Sequence, residues 1–218
     1  MKASALFHPI RQIALAACLV GLAGVATAVS ESQFQSAFNQ FLQANSGDES
    51  AIDPAAKAFS ALLKAEPANP VLLAYTGAAT AMKATTTWLP WKKMAYAEDG
   101  LAQLDKALAL LSPAHNANVQ NGTPGVLEAK FVAANTFLAV PGFMNRAERG
   151  ARLLNDVVSS PLLANAPLGF KGSVWLKAAT QASNAKNTAD AKRYLELIVR
   201  NQAPQTAQAQ TLLKGLPS

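Results

Sequence analysis

The sequence predicts an all-α fold, and three observations carry that prediction. Beyond its first 28 residues the chain is rich in Ala, Leu, Gln, Lys and Asn and shows no sustained alternation of β-branched residues, the pattern that strands would need. Pro, Gly and Asn punctuate it at helix-length intervals. Between those breaks apolar residues recur three and four apart, most regularly at Met94, Ala97, Leu101, Leu104, Leu108 and Leu111.

Residues 1–28, MKASALFHPIRQIALAACLVGLAGVATA, read differently. Lys2 and Arg11 precede an apolar run from Ile13 to Val25 and then the small residues Ala26-Thr27-Ala28, which is the order of a secretory signal peptide. The run is short for a span of about 20 residues, so cleavage after Ala28 and a periplasmic mature domain over 29–218 are expected. The alternative is a lipoprotein anchored at Cys18, because Leu15-Ala16-Ala17-Cys18 resembles a lipobox, although the apolar run continues past the cysteine. Cleavage at Ala28 would remove Lys2 and Arg11 and take the formal charge from +6 to +4. It would also remove the single cysteine, leaving packing alone to hold the mature fold.

The helices are predicted from their start and stop signals. Ser30 to Asn45 carries Phe34, Phe38, Phe41 and Leu42 at helical spacing and closes at Gly47. Asp53-Pro54 predicts a capped start for a helix bearing Phe59, Leu62 and Leu63, and Asn69-Pro70 repeats that signal for a helix running towards Lys83. The stripe from Met94 to Leu111 defines a buried face on a helix from about Thr87 to Leu111. SPAHNANVQNGTPG is a polar loop, with Thr123-Pro124 capping the next helix. Helices are then predicted over 124–139, 145–158, 169–184, 188–201 and 205–214.

Composition and motifs leave little room for chemistry. The basic residues are dispersed, so no nucleic-acid stripe is predicted. His115 is the one imidazole beyond the leader and has no neighbouring carboxylate; no His pair, cysteine set or dense acidic cluster suggests a metal. Gly122-Thr123-Pro124-Gly125 lacks the lysine and spacing of a phosphate loop. Glu66, Glu128 and Glu148 are isolated in sequence, although folding could bring distant carboxylates together. The reading is non-enzymatic, without cofactor or metal.

The stretch SVWLKAATQASNAKNTADAKRYLELIV resembles a tetratricopeptide repeat. Trp175, Ala178, Ala179 and Ala182 match its first helix, and Ala191, Leu195 and Ile198 match its second. Looser copies involve Leu73, Gly77, Gly100, Leu104 and Ala107, then Ala55, Phe59 and Pro67, then Gly150 and Leu154. The resemblance implies about four antiparallel helix pairs in a right-handed superhelix, plus a C-terminal capping helix; an ordinary helical bundle is the alternative. In the last repeat Ala179 and Ala191 are 12 positions apart, but Gly77 and Gly100 are 23 apart, so the second hairpin, residues 70–111, carries 11 extra residues. Those make about three turns, and the expected result is an extended hairpin.

Its tip would hold TTTWLPWKK, with Thr87 capping the second helix and Pro90 in the first turn. Three fates are open to Trp88 and Trp91: folding back as a staple, forming a partner site with Lys92 and Lys93, or making peripheral membrane contact. The resemblance also implies a concave groove lined by Val71, Ala74, Ala78 and Met82 in the second repeat and by Ser173, Leu176, Thr180 and Ser183 in the last. These are mostly small and uncharged, which suits an apolar or lightly polar peptide. The expected function is a periplasmic adaptor for another envelope protein or peptide segment, similar to accessory proteins of envelope systems such as ABC transporters. The alternative is a carrier of a lipid or small apolar ligand.

Overall fold

A computed structural model describes residues 29–217. The leader expected over residues 1–28, including Cys18, lies outside the described residues. Nine helices succeed one another within them: α1 (Glu31–Asn45), α2 (Ile52–Ala65), α3 (Pro70–Thr86), α4 (Pro90–Ala109), α5 (Gly125–Ala139), α6 (Ala147–Val158), α7 (Leu168–Asn184), α8 (Thr188–Arg200) and α9 (Thr206–Lys214). No strand occurs among the described residues; the nearest approach is an isolated bridge between Asn118 and Pro124. The fold is all-α. Helices pack chiefly on their neighbours in sequence, as the pairs α1–α2, α3–α4, α5–α6 and α7–α8, with α9 against α8 and α3 also touching α2 and α5.

Helix starts are written in the sequence where a side chain satisfies the first free N–H groups. Ser30 and Gln33 form a reciprocal capping box at α1. The Asn69 side chain accepts from Val71 N at 2.9 Å and Leu72 N at 3.2 Å, and Pro70 occupies a first-turn position whose N–H is not needed. Two expected caps are corrected. α2 begins at Ile52, after a 3-10 turn that Asp48 caps, so Asp53 lies inside the helix and pairs with Lys83 at 3.2 Å. Pro54 still fits because the whole first turn tolerates proline. At α5 the cap position is Pro124, and the Thr123 side chain is buried instead of capping.

The core centres on α3, where every residue from Pro70 to Ala79 is buried. Such a helix is apolar all round because neighbours cover it on several sides. Tyr75 stacks on Phe59 at 4.6 Å between centroids and meets Phe41 edge-on at 5.0 Å, while Phe34 packs against both Phe59 and Tyr75. On α4 the predicted stripe is buried at Ala97, Leu101 and Leu104. It fails at Met94, which is 39% exposed because α4 has by then run past the elements that would cover it.

The pairing of α3 with α4 depends on two glycines. A Cβ on Gly77 would lie 2.8 Å from the Gly100 carbonyl oxygen, and one on Gly100 would lie 2.5 Å from the Gly77 oxygen and 2.7 Å from the Ala81 nitrogen. Backbone meets backbone there, and no side chain fits between.

The extra length is distributed unevenly. α3 continues nine residues past Gly77, whereas α7 continues five past Ala179; α4 begins ten residues before Gly100, whereas α8 begins three before Ala191. Both turns hold three residues. Of the eleven extra residues, four therefore lengthen the first helix and seven the second. Four and seven are close to one and two whole turns, so each helix keeps its buried face in register.

Candidate interaction site at the α3–α4 tip

α3 is half-buried from Thr80 to Ala84 and exposed at Thr85 and Thr86, and the chain then reverses through Thr87, Trp88 and Leu89. Burial runs out before the turn is reached. Trp88 is 82% exposed and Trp91 66% exposed, so neither folds back to staple the hairpin. Pro90 sits in the first turn of α4 as expected, but Leu89 takes the cap position with no side-chain cap, and Thr87 Oγ1 merely accepts from Leu89 N at 3.4 Å. Lys83 of α3 lies 4.7 Å over the Tyr96 ring of α4 and pairs with Asp53 of α2.

Lys92 and Lys93 are exposed in the first turn of α4, and neither has an ion-pair partner among the described residues. The partial positive charge of a helix N-terminus disfavours cations there. An uncapped start bearing two lysines and no acid is a local choice against helix stability, and such conflicts concentrate at functional sites.

Below the tip, an open cleft of about 360 Å³ separates α4 from the turn that joins α5 to α6. Met94, Glu98, Leu101, Ala102 and Asp105 line it from α4, and Phe143, Met144 and Arg146 line it from the other side. Trp91 falls one turn above Met94 on the same side of the helix. The lower end is closed by Asp105, which pairs with Arg146 at 3.0 Å and with Arg149, and both guanidinium groups lie over the Phe137 ring at 5.4 and 5.2 Å. Phe143 is 67% exposed and was missed by sequence reasoning, because 49 residues separate it from Met94. The available signal was an aromatic residue inside a Pro-Gly turn, where little can cover it.

The expected groove is not assembled. Val71, Ala74 and Ala78 are buried inside the core, since α3 is enclosed by α2, α4 and α5. Met82 is half-buried and lines a second cleft, of about 280 Å³, against the α1–α2 turn. On α7, Ser173 and Leu176 are half-buried and Thr180 and Ser183 exposed. The Ser173 hydroxyl is engaged locally, donating to the Gly169 carbonyl at 3.0 Å and accepting from Gln205 Nε2 at 3.0 Å. The two halves of the expected lining therefore do not share one open face.

A second constellation joins residues far apart in sequence. Tyr75 Oη donates to Glu128 Oε1 at 2.7 Å, and Asn121 Nδ2 donates to the same oxygen at 3.3 Å from a left-handed backbone at φ 68°. Glu128 Oε2 has no hydrogen-bond partner among the described residues, and Glu128 is 2% exposed. Burial pushes the Glu128 carboxyl up to about 7; the hydrogen bonds from Tyr75 and Asn121 pull it down, and the charge of Glu31 pushes it up. Burial likewise raises the Tyr75 hydroxyl well above its ordinary range, with Glu128 adding to the effect. Closed off from solvent, this pair joins α3 to α5, and Asn121 ties the 118–124 loop to it. The isolated-glutamate reading missed it because Tyr75 lies 53 residues away. His115 is also used locally, its Nδ1 accepting from Ser112 N at 3.0 Å.

No group of three or more His, Cys, Asp or Glu residues is placed to hold a metal among the described residues. No family model matches the chain, and neither curated proteins nor solved structures yield a match.

Proposed function

We propose that the protein is a non-catalytic, tetratricopeptide-like adaptor of the periplasm, whose Trp88–Lys93 tip is its contact surface for another envelope protein. One observation carries the reading: two tryptophans, residues that ordinarily contribute large buried areas, stand exposed on a hairpin lengthened by whole turns. Exposed tryptophan beside unpaired cations is a common hot-spot composition. The hairpin order of the helices and the close glycine and alanine contacts support the repeat likeness, and the leader-like residues 1–28 support export. An envelope transport system is the class of partner that fits such an accessory chain.

The test is a photo-crosslinker at position 91, introduced in cells and followed by identification of the captured protein. A specific adduct that disappears on Trp88→Ala is expected, with the melting temperature unchanged. Absence of any protein adduct beyond background would defeat the adaptor reading.

A further inference from the structure

Trp88, Phe143 and Trp91 are the most exposed large apolar side chains among the described residues, and all three lie at one end of the helix array. Antiparallel alternation puts them there. The start of α5 packs beside the start of α3, where a Cβ on Gly125 would meet Val71; its far end delivers Phe143 and Met144 to Met94, just behind the tip. α4 extends one further turn from Met94 to Trp91, so the Trp88 turn lies beyond the cleft that Met94 and Phe143 line.

The turn from Thr85 to Lys93 carries cations only, with acids lying behind it: Glu98 in the cleft beside Met94, Glu49 in the cleft beside Thr85, and Asp53 against Lys83. The sequence holds no acidic residue between Glu66 and Glu98, while Lys83, Lys92 and Lys93 fall in that interval. Lys83 is occupied by Asp53 and Tyr96; Lys92 and Lys93 are free of ion pairs among the described residues. Both clefts open below the tip, beside Met94 and Met82, so the tip itself presents convex rings and cations. A bilayer surface accommodates such a shape: indole rings, apolar in body with a polar N–H, settle at headgroup depth, and lysines beside them face anionic phosphates.

We infer that the α3–α4 tip docks on an anionic lipid surface, with Trp88 and Trp91 at headgroup level and Lys92 and Lys93 against the phosphates. Docking is peripheral, because no described helix is long and apolar enough to cross a membrane. The inference rests on the tip being the contact surface of the proposed adaptor and specifies the lipid that would surround a membrane-embedded partner.

Flotation with vesicles of phosphatidylglycerol and phosphatidylcholine, compared with phosphatidylcholine alone, tests it on the protein as isolated, its N-terminus defined by intact mass. Quenching of tryptophan fluorescence by lipids brominated along their acyl chains reports depth. Binding to the anionic vesicles is expected, weakened by salt. It should fall about tenfold or more both in Trp88→Ala plus Trp91→Ala and in Lys92→Glu plus Lys93→Glu. The charge reversal leaves both rings in place, so the assignment remains testable if the alanine pair folds poorly. Equal binding to neutral and anionic vesicles, or binding that survives both double changes, overturns the assignment. So does self-association lost with the tryptophans while vesicles are ignored, which would give the patch to a second copy. A tip-dependent protein crosslink without vesicle binding removes the lipid and keeps the adaptor; vesicle binding without a crosslink does the reverse.

Discussion

At the base of the α3–α4 hairpin, Gly77 and Gly100 bring two backbones into contact, and Val71 through Ala79 are closed off from water. At its far end, about ten residues along each helix, Trp88 and Trp91 stand in solvent beside Lys92 and Lys93. The same two helices are thus buried at one end and exposed at the other, where the proposed contact surface lies. A long hairpin can in this way keep a packed region and an exposed one apart, and substitutions at its ends should have separable effects on stability and on the proposed contact.

The largest effect is expected at the base. Gly100→Ala places a methyl group 2.5 Å from a carbonyl oxygen and 2.7 Å from a backbone nitrogen, atoms that cannot rotate aside. The helices must separate and release the packing of Leu101 and Leu104. A loss of about 3 kcal/mol or more is expected in denaturant unfolding. Leu104→Ala, at a fully buried position on the same face, should cost about 2–5 kcal/mol. A Gly100→Ala protein of ordinary stability would mean the hairpin does not depend on this backbone contact.

Next comes the Tyr75–Glu128 pair. Its carboxyl, raised from 4.5 to about 7 in the fold, holds a proton that the unfolded chain has already released over that interval. The folded state therefore binds more protons, and the stability this group contributes is complete below pH 4.5 and is lost as pH rises through about 7. The shift corresponds to roughly 3 kcal/mol. Glu128→Gln keeps an acceptor for the tyrosine hydroxyl and removes the titration, so it should flatten stability against pH over this range and exceed the parent protein at about pH 8. Glu128→Ala leaves the Tyr75 hydroxyl unpaired and should cost about 1–3 kcal/mol at acidic pH. Chemical denaturation across pH measures both. A Gln variant with the parent's pH slope would show that Glu128 does not titrate as described.

Local interactions account for the part of the fold that was legible in the sequence. Ser30 with Gln33, and Asn69 with Pro70, fixed their helix starts because a cap is made within three residues. The spacing of Gly77 and Gly100 announced the longer hairpin, since whole turns must be added if a buried face is to keep its register. The all-α class came from the same local periodicity. Met94 was misjudged because periodicity reveals which face could be covered and not where the covering element stops. Val71, Ala74 and Ala78 went wrong for the opposite reason: small residues suit a groove and a crowded core equally well, and here α5 fills the space. Phe143 beside Met94, and Tyr75 beside Glu128, are encounters across turns that leave no periodic trace, though a lone glutamate in the apolar run GVLEAKFVAANTFLA marked a buried polar group needing a partner.

The smallest stability effect belongs to the tip. Trp88→Ala plus Trp91→Ala removes two rings that already lie mostly in water, so little burial is lost and no cavity opens. Alanine is also the better helix former at position 91 by a few tenths of a kcal/mol, which offsets the small contacts that go. The unfolding free energy should stay within about 0.5 kcal/mol of the parent while contact with the partner surface collapses. Restoring only Trp91 should recover more of that contact than restoring only Trp88, because Trp91 is held on the ordered first turn of α4 and loses less freedom when it binds, whereas Trp88 sits in the three-residue turn. Equal recovery from either ring would show that exposure alone governs the contact and that its anchoring on α4 contributes nothing.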